Sequence, residues 1–201
     1  MEISNYFSVP VGQWDLNFDV ISLKKYCYDV KKNTIKSNIR SNKNAWQSVS
    51  LKITEQHKLT PLVKNILHCG QKIFEHLNGN VEKYTLGLDN MCININPKGG
   101  YNINHLHPHA FLTGAYYIEV PEGSGRLSLK HPCPFLEYDW EHFHWKDYTA
   151  DTAPTRYLTS KSNRLYIFPG WVSHEVEVNT SEYDRIAISF NLRLINNDKL
   201  K

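Results

Sequence analysis

Three histidines stand at alternate positions in the stretch His105-Leu-His107-Pro-His109, and a further histidine, His174, follows much later in the chain. Imidazole is the commonest metal ligand among side chains. In an extended strand, residues two apart point to the same face, so His105 and His107 can reach one ion together. Pro108 is expected to end the strand, which removes His109 from the predicted ligands. The pattern predicts that His105 and His107 share one metal site, and His174 is a candidate for a third, distant ligand.

Other interpretations of the histidines stay open. A histidine at the surface, or one buried with satisfied hydrogen bonds, needs no metal, and for any single histidine this would be the better interpretation. His131, His142 and His144 form a second group with two members at alternate positions. No distal partner in a comparable context supports that second group.

The elements that would position these residues are mainly strands, preceded by two helices. Helical spacing runs from Asp19 to about Lys32 and again from Thr60-Pro61, a typical helix start with Thr60 as the N-cap, to Asn78-Gly79. Beyond Asn80 the apolar residues alternate, and turn signals such as Pro169-Gly170 separate the runs. The predicted strands span 84–88, 91–95, 101–107, 111–120, 126–130, 164–168, 174–179 and 184–194.

This order predicts a mainly β protein in which two N-terminal helices cover a barrel-like sandwich. With no linker or repeat, residues 1–201 are expected to form a single domain, with helical support from 1–80 and a β core from 81–195. The segment 131–163 interrupts the strands and is dense in aromatic residues. A connection this long is usually functional or has structure of its own. We predict a lid or substrate-contacting loop, with an arm on the outer sheet or at a homodimer interface as the alternative.

Bulk properties exclude several classes of protein. With 201 residues, 41% of them hydrophobic, and a net charge of +3, the chain suits a soluble globular domain and does not favour nucleic-acid binding. Its four cysteines form no CxxC pair, which argues against a zinc ribbon or a disulfide framework. The chain contains no run of 18 apolar residues, so no membrane helix is predicted. The N-terminus lacks the pattern of a secretory signal. A reducing cytoplasm is the expected location.

Several segments together resemble a family of 2-oxoglutarate/iron(II) oxygenases found in bacteria and in marine phages. The resemblance covers roughly residues 40–195, and it implies a double-stranded β-helix, a jelly-roll or cupin-like barrel, with iron(II) and 2-oxoglutarate as cofactors. If the chain is phage-encoded, its location would be the host cytoplasm. The segments that carry the resemblance are Trp46–Ser48, Asn94–Pro108, Leu112–Gly123, Phe168–His174 and Arg185–Asn191.

The resemblance implies that His105, His107 and His174 hold the iron. Most members of the superfamily have Asp or Glu where this chain has His107. Two alternatives follow from this difference: a three-histidine site, or a His107 that faces away while fewer ligands or another residue hold the metal.

The resemblance also implies a binding site for 2-oxoglutarate. Arg185 would clamp its distal carboxylate with two parallel charge-assisted hydrogen bonds. Ser189 shares the face of Arg185 and could add a donor, although the commoner spacing in the family is Arg-x-Ser. Tyr117 matches a tyrosine that binds the same carboxylate in prolyl hydroxylases. The alternatives are an ion pair of Arg185 with Glu182 or Asp184, and a purely packing role for Tyr117.

The predicted function is therefore an iron(II)/2-oxoglutarate-dependent dioxygenase. It would convert 2-oxoglutarate to succinate and, by default, hydroxylate a C–H bond of its substrate with dioxygen. Two rivals stay open: another metal enzyme on a cupin-like barrel with a three-histidine iron or zinc site, and a non-enzymatic phage binding or structural module. The sequence leaves the substrate open among peptides, nucleobases and small metabolites.

Overall fold

The computed structural model describes residues 8–34, 37–133 and 145–199. Two helices, α1 (Val20–Lys32) and α2 (Thr60–His76), precede most of the strands. The strands are β1 (Gly12–Asp15), β2 (Asn42–Lys43), β3 (Trp46–Gln47), β4 (Tyr84–Asn96), β5 (Tyr101–His105), β6 (Leu112–Glu119), β7 (Leu127–Lys130), β8 (Thr155–Leu158), β9 (Arg164–Pro169), β10 (His174–Val176) and β11 (Arg185–Asn196).

The strands form two antiparallel sheets. The major sheet has the order β1-β9-β6-β11-β4-β3, and the minor sheet has the order β2-β5-β10-β7-β8. Strands that follow one another in the chain often lie in different sheets, as β9 and β10 do. This is the winding expected of a jelly-roll. This architecture confirms the predicted mainly β fold with N-terminal helices.

Both helices pack on the outer face of the major sheet. The apolar stripe of α2 includes Ile66 and Ile73, and it shares one buried core with Ile93 of β4 and Ile188 of β11. Burying such side chains contributes about 1.5–3 kcal/mol each. Because the helices cover this apolar core, the functional residues of β11, such as Arg185 and Ser189, lie on the opposite, inner face of the sheet.

The start of α2 differs in detail from the prediction. The N-cap is Leu59, and the hydroxyl of Thr60 donates to the carbonyl of Thr54, 2.7 Å away, instead of capping the helix. A turn formed just before the helix takes up the Thr60 hydroxyl. Pro61 occupies the first turn as predicted, and Asn78, with φ of 56°, follows the end of the helix.

A bulge at Asp89 joins two predicted strands into β4. The pairing with β11 places Asn191 opposite Asn90 and Leu192 opposite Leu88, which leaves Asp89 as an extra residue. An extra residue reverses the alternation of side chains. The bulge therefore puts Asn90 on the inner face while apolar residues on both sides of it stay in the core.

Some predicted boundaries were wrong. β5 ends at His105, so His107 lies in the following loop. The short strands β1, β2, β3 and β8 were not predicted. β8 belongs to the aromatic segment 131–163 and pairs with β7 at the edge of the minor sheet. Residues 134–144 of that predicted lid lie outside the described residues. None of the helices described is long and apolar enough to cross a membrane.

Candidate active site

The three predicted ligands meet where the minor sheet pairs β5 with β10. His105, the last residue of β5, is the cross-strand partner of His174, the first residue of β10. His107 lies two residues after the end of β5. One ring nitrogen from each imidazole lies within 4.8 Å of the others. This spacing suits three ligands around one ion, so the residues that are far apart in sequence do come together.

Backbone carbonyls orient two of the imidazoles. The Nδ1 atom of His105 lies 2.7 Å from the carbonyl oxygen of Ile103, and that of His174 lies 2.9 Å from the oxygen of Val172. A carbonyl only accepts hydrogen bonds, so each Nδ1 carries the proton. The lone pair is then on Nε2 in both rings, and that is the tautomer a metal ligand needs.

The loop that carries His107 is held by the turn between β9 and β10. The backbone N–H of His107 donates to the carbonyl of Gly170 at 2.8 Å. A Cβ at Gly170 would lie 2.3 Å from the oxygen of Ala110 and 2.7 Å from that of His107. Only glycine allows this approach. The Pro169-Gly170 turn thus fixes His107 beside His174.

The third imidazole contacts a side chain instead of a carbonyl. His107 Nδ1 lies 3.2 Å from the amide nitrogen of Asn191, and the amide oxygen lies 2.8 Å from the hydroxyl of Thr113. The Thr113 hydroxyl also reaches the carbonyl of Phe190 at 3.1 Å. If this hydroxyl donates to Phe190, the Asn191 amide can be turned over, and its oxygen then accepts from His107 Nδ1–H. The same atomic positions therefore permit the ligand tautomer in all three histidines.

Burial keeps the three imidazoles uncharged. Desolvation, with a smaller contribution from the neighbouring His105, lowers the pKa of His107 to about 4 and that of His174 to about 3. The pKa of His105 is also lowered by burial. At neutral pH the cluster thus offers lone pairs to a cation without first losing protons.

Arg185 is buried on the inner face of β11, and none of the acidic residues that the structure describes pairs with it. It is only 4% exposed, its Nη2 donates to the hydroxyl of Tyr117 at 3.2 Å, and its Nε is buried without a hydrogen-bond partner. The predicted alternative of an ion pair is wrong: Glu182 pairs with Lys98, and Asp184 accepts from Tyr28.

A buried guanidinium with an unpaired N–H is costly unless an anion satisfies it. The unpaired donor of Arg185 therefore suits a bound anion. Tyr117 is itself fully buried, and its ring centre lies 5.0 Å from the guanidinium carbon. The hydroxyl of Tyr117 accepts from Arg185 and still has its own proton to donate to the same anion.

Ser189 lies on the same face as Arg185 but at some distance from it. Four residues of a strand span about 13 Å, so the Ser189 backbone is much nearer to Asn191 than to Arg185. Its hydroxyl oxygen accepts from the amide of Asn94 at 2.8 Å. Ala187, two residues after Arg185, stands where the commoner spacing of the family would have the serine.

One cavity of about 690 Å³ connects the histidines with Arg185. Its inner part is lined by Tyr117, Phe168 and Ala187. His109 also lies on its wall, outside the three-histidine cluster. The polar lining residues that sequence reasoning missed include Asn191, Thr113, Arg40 and Gln47. Of these four, only Asn191 had a signal, because it continues the inward alternation of Arg185 and Ser189.

Three converging imidazoles beside a buried cation, inside a two-sheet jelly-roll, suit the class of non-haem iron oxygenases. The family model described as "Putative 2OG-Fe(II) oxygenase" matches residues 90–191, just over half of the chain. The chain belongs to this family. The protein is therefore an enzyme that uses iron(II), 2-oxoglutarate and dioxygen, as the sequence predicted, and the non-enzymatic alternative falls away.

Solved structures show the same fold at low sequence identity. A prolyl-4-hydroxylase from Pseudomonas putida is 12% identical, with a TM-score of 0.65 and coverage of 91% of each chain. The carbocyclase SnoK from nogalamycin biosynthesis is 15% identical, with a TM-score of 0.61 over 87% of this chain and 74% of that one. A Trichoplax adhaerens prolyl hydroxylase, in complex with a hypoxia-inducible-factor peptide, is 16% identical, with a TM-score of 0.58 over 95% and 84%. No curated protein matches the chain.

Proposed function

We propose that the protein hydroxylates its substrate at an iron(II) centre held by His105, His107 and His174. The observation that carries this proposal is the pairing of two features in one cavity: three uncharged imidazoles with converging nitrogens, and a buried arginine with an unpaired N–H. The three-histidine set replaces the carboxylate that most members of the superfamily have. A zinc hydrolase would have no evident use for Arg185, so the oxygenase explains more of the site.

When bound, iron(II) and 2-oxoglutarate supply the oxidising chemistry, in which dioxygen converts 2-oxoglutarate to succinate and carbon dioxide and a substrate C–H to C–OH. The residues of this chain bind and orient. Carbonyl groups hold the His105 and His174 rings with Nε2 toward the cluster, and buried side chains that line the cavity, such as Phe168, limit the access of bulk water to the reacting groups.

We assign the distal carboxylate of 2-oxoglutarate to Arg185 and Tyr117. The unpaired Nε–H of Arg185 and the hydroxyl proton of Tyr117 are available to the same anion. Ser189 lies nearer to the histidines, so its proposed contact is with the metal-binding end of 2-oxoglutarate instead of the distal end. Its hydroxyl proton is free for that contact because its oxygen accepts from Asn94.

We assign Asn191 the task of orienting His107. In the orientation that suits metal binding, the Asn191 amide oxygen accepts the proton of His107 Nδ1, and Thr113 accepts from the amide nitrogen. Asn191 then acts on His107 as the carbonyls of Ile103 and Val172 act on the other two ligands.

Two further proposals concern the domain organisation of the protein and its location in the cell. Residues 1–201 form one domain, since both helices pack on the sheet whose inner face carries the site. The protein works in the cytoplasm, where a reducing environment keeps iron ferrous; the four cysteines are free thiols.

The test is an anaerobic titration of metal-free protein with iron(II) and 2-oxoglutarate, followed by the visible metal-to-ligand charge-transfer band of the chelate. We expect the band in the wild-type protein and its loss in His174→Ala. Arg185→Ala should require at least tenfold more 2-oxoglutarate, since it removes a charge-assisted contact. The matched controls are His68→Ala, on the exposed side of α2, and Arg126→Ala, an exposed arginine just before β7; both should keep the band. Absence of the band in wild-type protein, with zinc bound tightly instead, would overturn the proposal.

A further inference from the structure

The charges along the cavity do not balance, and this imbalance points to the substrate. We infer that the substrate carries an anionic group, a carboxylate or a phosphate, which Arg40 binds at the outer end of the cavity. The inference rests on the proposed function, because it counts the charge of a three-histidine iron site that contains 2-oxoglutarate.

The inner part of the loaded site keeps one uncompensated positive charge. The three imidazoles are neutral, and the two carboxylates of 2-oxoglutarate match the two charges of iron(II). The charge of Arg185 is then left over. In a site with one carboxylate ligand, that ligand would offset the remaining charge. Replacing the carboxylate by His107 therefore makes the cavity one unit more positive than a site of the usual composition.

The wall of the cavity does not supply the missing negative charge. Among the lining residues described, Asp89 is the one carboxylate. Its Oδ1 lies 3.9 Å from the Nη1 of Arg193, which offsets it. The neighbouring polar groups are neutral amides and hydroxyls, such as Asn38, Ser50 and Asn90. A negative charge for this cavity has to come with the bound molecule.

Arg40 adds a second positive charge at the outer end. The loop that carries it is fixed to β5: the carbonyl of Ser41 accepts from the backbone N–H of Ile103 at 2.9 Å, and the N–H of Arg40 donates to Asn42. Within the described part of the chain, the Arg40 guanidinium forms no ion pair or hydrogen bond. It lines the same cavity as the histidines and Cys92, and its charge opposes the rise in the pKa of the Cys92 thiol that burial causes.

A neighbouring acceptor also lacks a partner. The Oε1 atom of Gln47, on the same outer wall, is buried without a hydrogen-bond donor. A buried carbonyl oxygen without a donor is unfavourable until a ligand supplies one. The two features together describe a substrate with an anionic group for Arg40 and an N–H or O–H donor for Gln47. A small organic acid or phosphate ester of this kind fits the polar wall better than an apolar molecule does.

The test compares matched anionic and neutral probes on the anaerobic iron(II)/2-oxoglutarate holoenzyme. The carboxylate pair is N-acetylglycinate and N-acetylglycinamide, and the phosphate pair is methyl phosphate and trimethyl phosphate. Binding near the iron is read from paramagnetic broadening of the probe's proton signals. The charge-transfer band is recorded in each sample to exclude displacement of 2-oxoglutarate. The variants are Arg40→Gln and, as a matched control, Lys43→Gln, an exposed cation of β2.

We expect the anionic member of one pair to bind at least tenfold tighter than its neutral partner, because a charged hydrogen bond supports a preference of that size. The pair that shows the preference identifies the anion as carboxylate or phosphate. The preference should vanish in Arg40→Gln and persist in Lys43→Gln. Equal binding within both pairs, or a preference that survives Arg40→Gln, would overturn the inference. A missing band in wild-type holoenzyme would instead refute the proposed function.

Discussion

Replacing Asn191 with leucine removes the amide that holds the third metal ligand and keeps the side chain close to its original volume. Thr113 is not left without a partner, since its hydroxyl still reaches the carbonyl of Phe190 at 3.1 Å. The loss therefore falls mainly on His107 Nδ1, 3.2 Å from the amide. The ring can then turn, or carry its proton on the nitrogen that should bind the metal.

The size of the effect follows from the hydrogen bond that is lost. A net hydrogen bond contributes about 0.5–1.5 kcal/mol, and removing a group that orients a metal-bound histidine typically costs tenfold to a hundredfold in metal affinity. We expect Asn191→Leu to weaken iron(II) binding by that tenfold to hundredfold. Asn191→Asp should bind iron(II) at least as tightly as wild type, because a carboxylate accepts strongly from Nδ1–H and can replace the amide oxygen.

The assay is an anaerobic competition between the protein and a coloured iron(II) chelator, without 2-oxoglutarate. Ser189→Ala is the matched control, since Ser189 lies on the same strand and face but contacts none of the three histidines. Melting temperatures are measured in parallel to exclude a general loss of structure. An Asn191→Leu protein that binds iron(II) within twofold of wild type, or an Asn191→Asp protein as weak as the leucine variant, would refute the proposed role of Asn191.

Three further predictions concern other parts of the site. Tyr117→Phe should raise the dissociation constant for 2-oxoglutarate about two- to tenfold in the charge-transfer titration, since one hydrogen bond to the carboxylate is lost; an unchanged constant would assign the tyrosine to packing alone. Gly170→Ala should lower both the melting temperature and iron(II) affinity, because its Cβ would meet the carbonyl of His107 at 2.7 Å; normal metal binding would show that the loop adapts. The free energy of unfolding of the metal-free protein should decrease as the pH is lowered from about 6.5 to about 4. In that range the imidazoles of the unfolded chain bind protons, while burial holds the pKa of the folded His107 at about 4. Urea midpoints at pH 7.5 and pH 5 test this, with His107→Gln expected to show a smaller decrease.

The alternation of side chains explains most of what the sequence could say about which candidate site residues lie together. It put His105 and His107 on one side, although the strand ends at the first of them, and it placed Arg185 and Ser189 on one face. The distal ligand was different, because His174 meets His105 only through the pairing of β5 with β10. Pairing between distant strands leaves no trace in local spacing, so this part depended on the resemblance to a known family.

The features that were missed have physical reasons. β2 and β3 have two residues each and belong to edges, where alternation is too short to detect. Thr60 looked like a cap by residue type, but a carbonyl in the preceding turn competes for its hydroxyl. Asn191 was overlooked because an amide binds no metal itself, and its role appears only through its contact with His107.

The unpaired N–H of Arg185 makes the stability of the folded protein depend on its co-substrate. Without a bound anion, the folded chain holds a buried charge that the unfolded chain would give to water. Any ligand that binds only the folded state stabilises it, by about 2.7 kcal/mol at a hundred times its dissociation constant. As 2-oxoglutarate rises in its surroundings, fewer molecules of this protein unfold and fewer are open to proteases. A cell rich in 2-oxoglutarate would thus keep more of this enzyme, without any change in its synthesis.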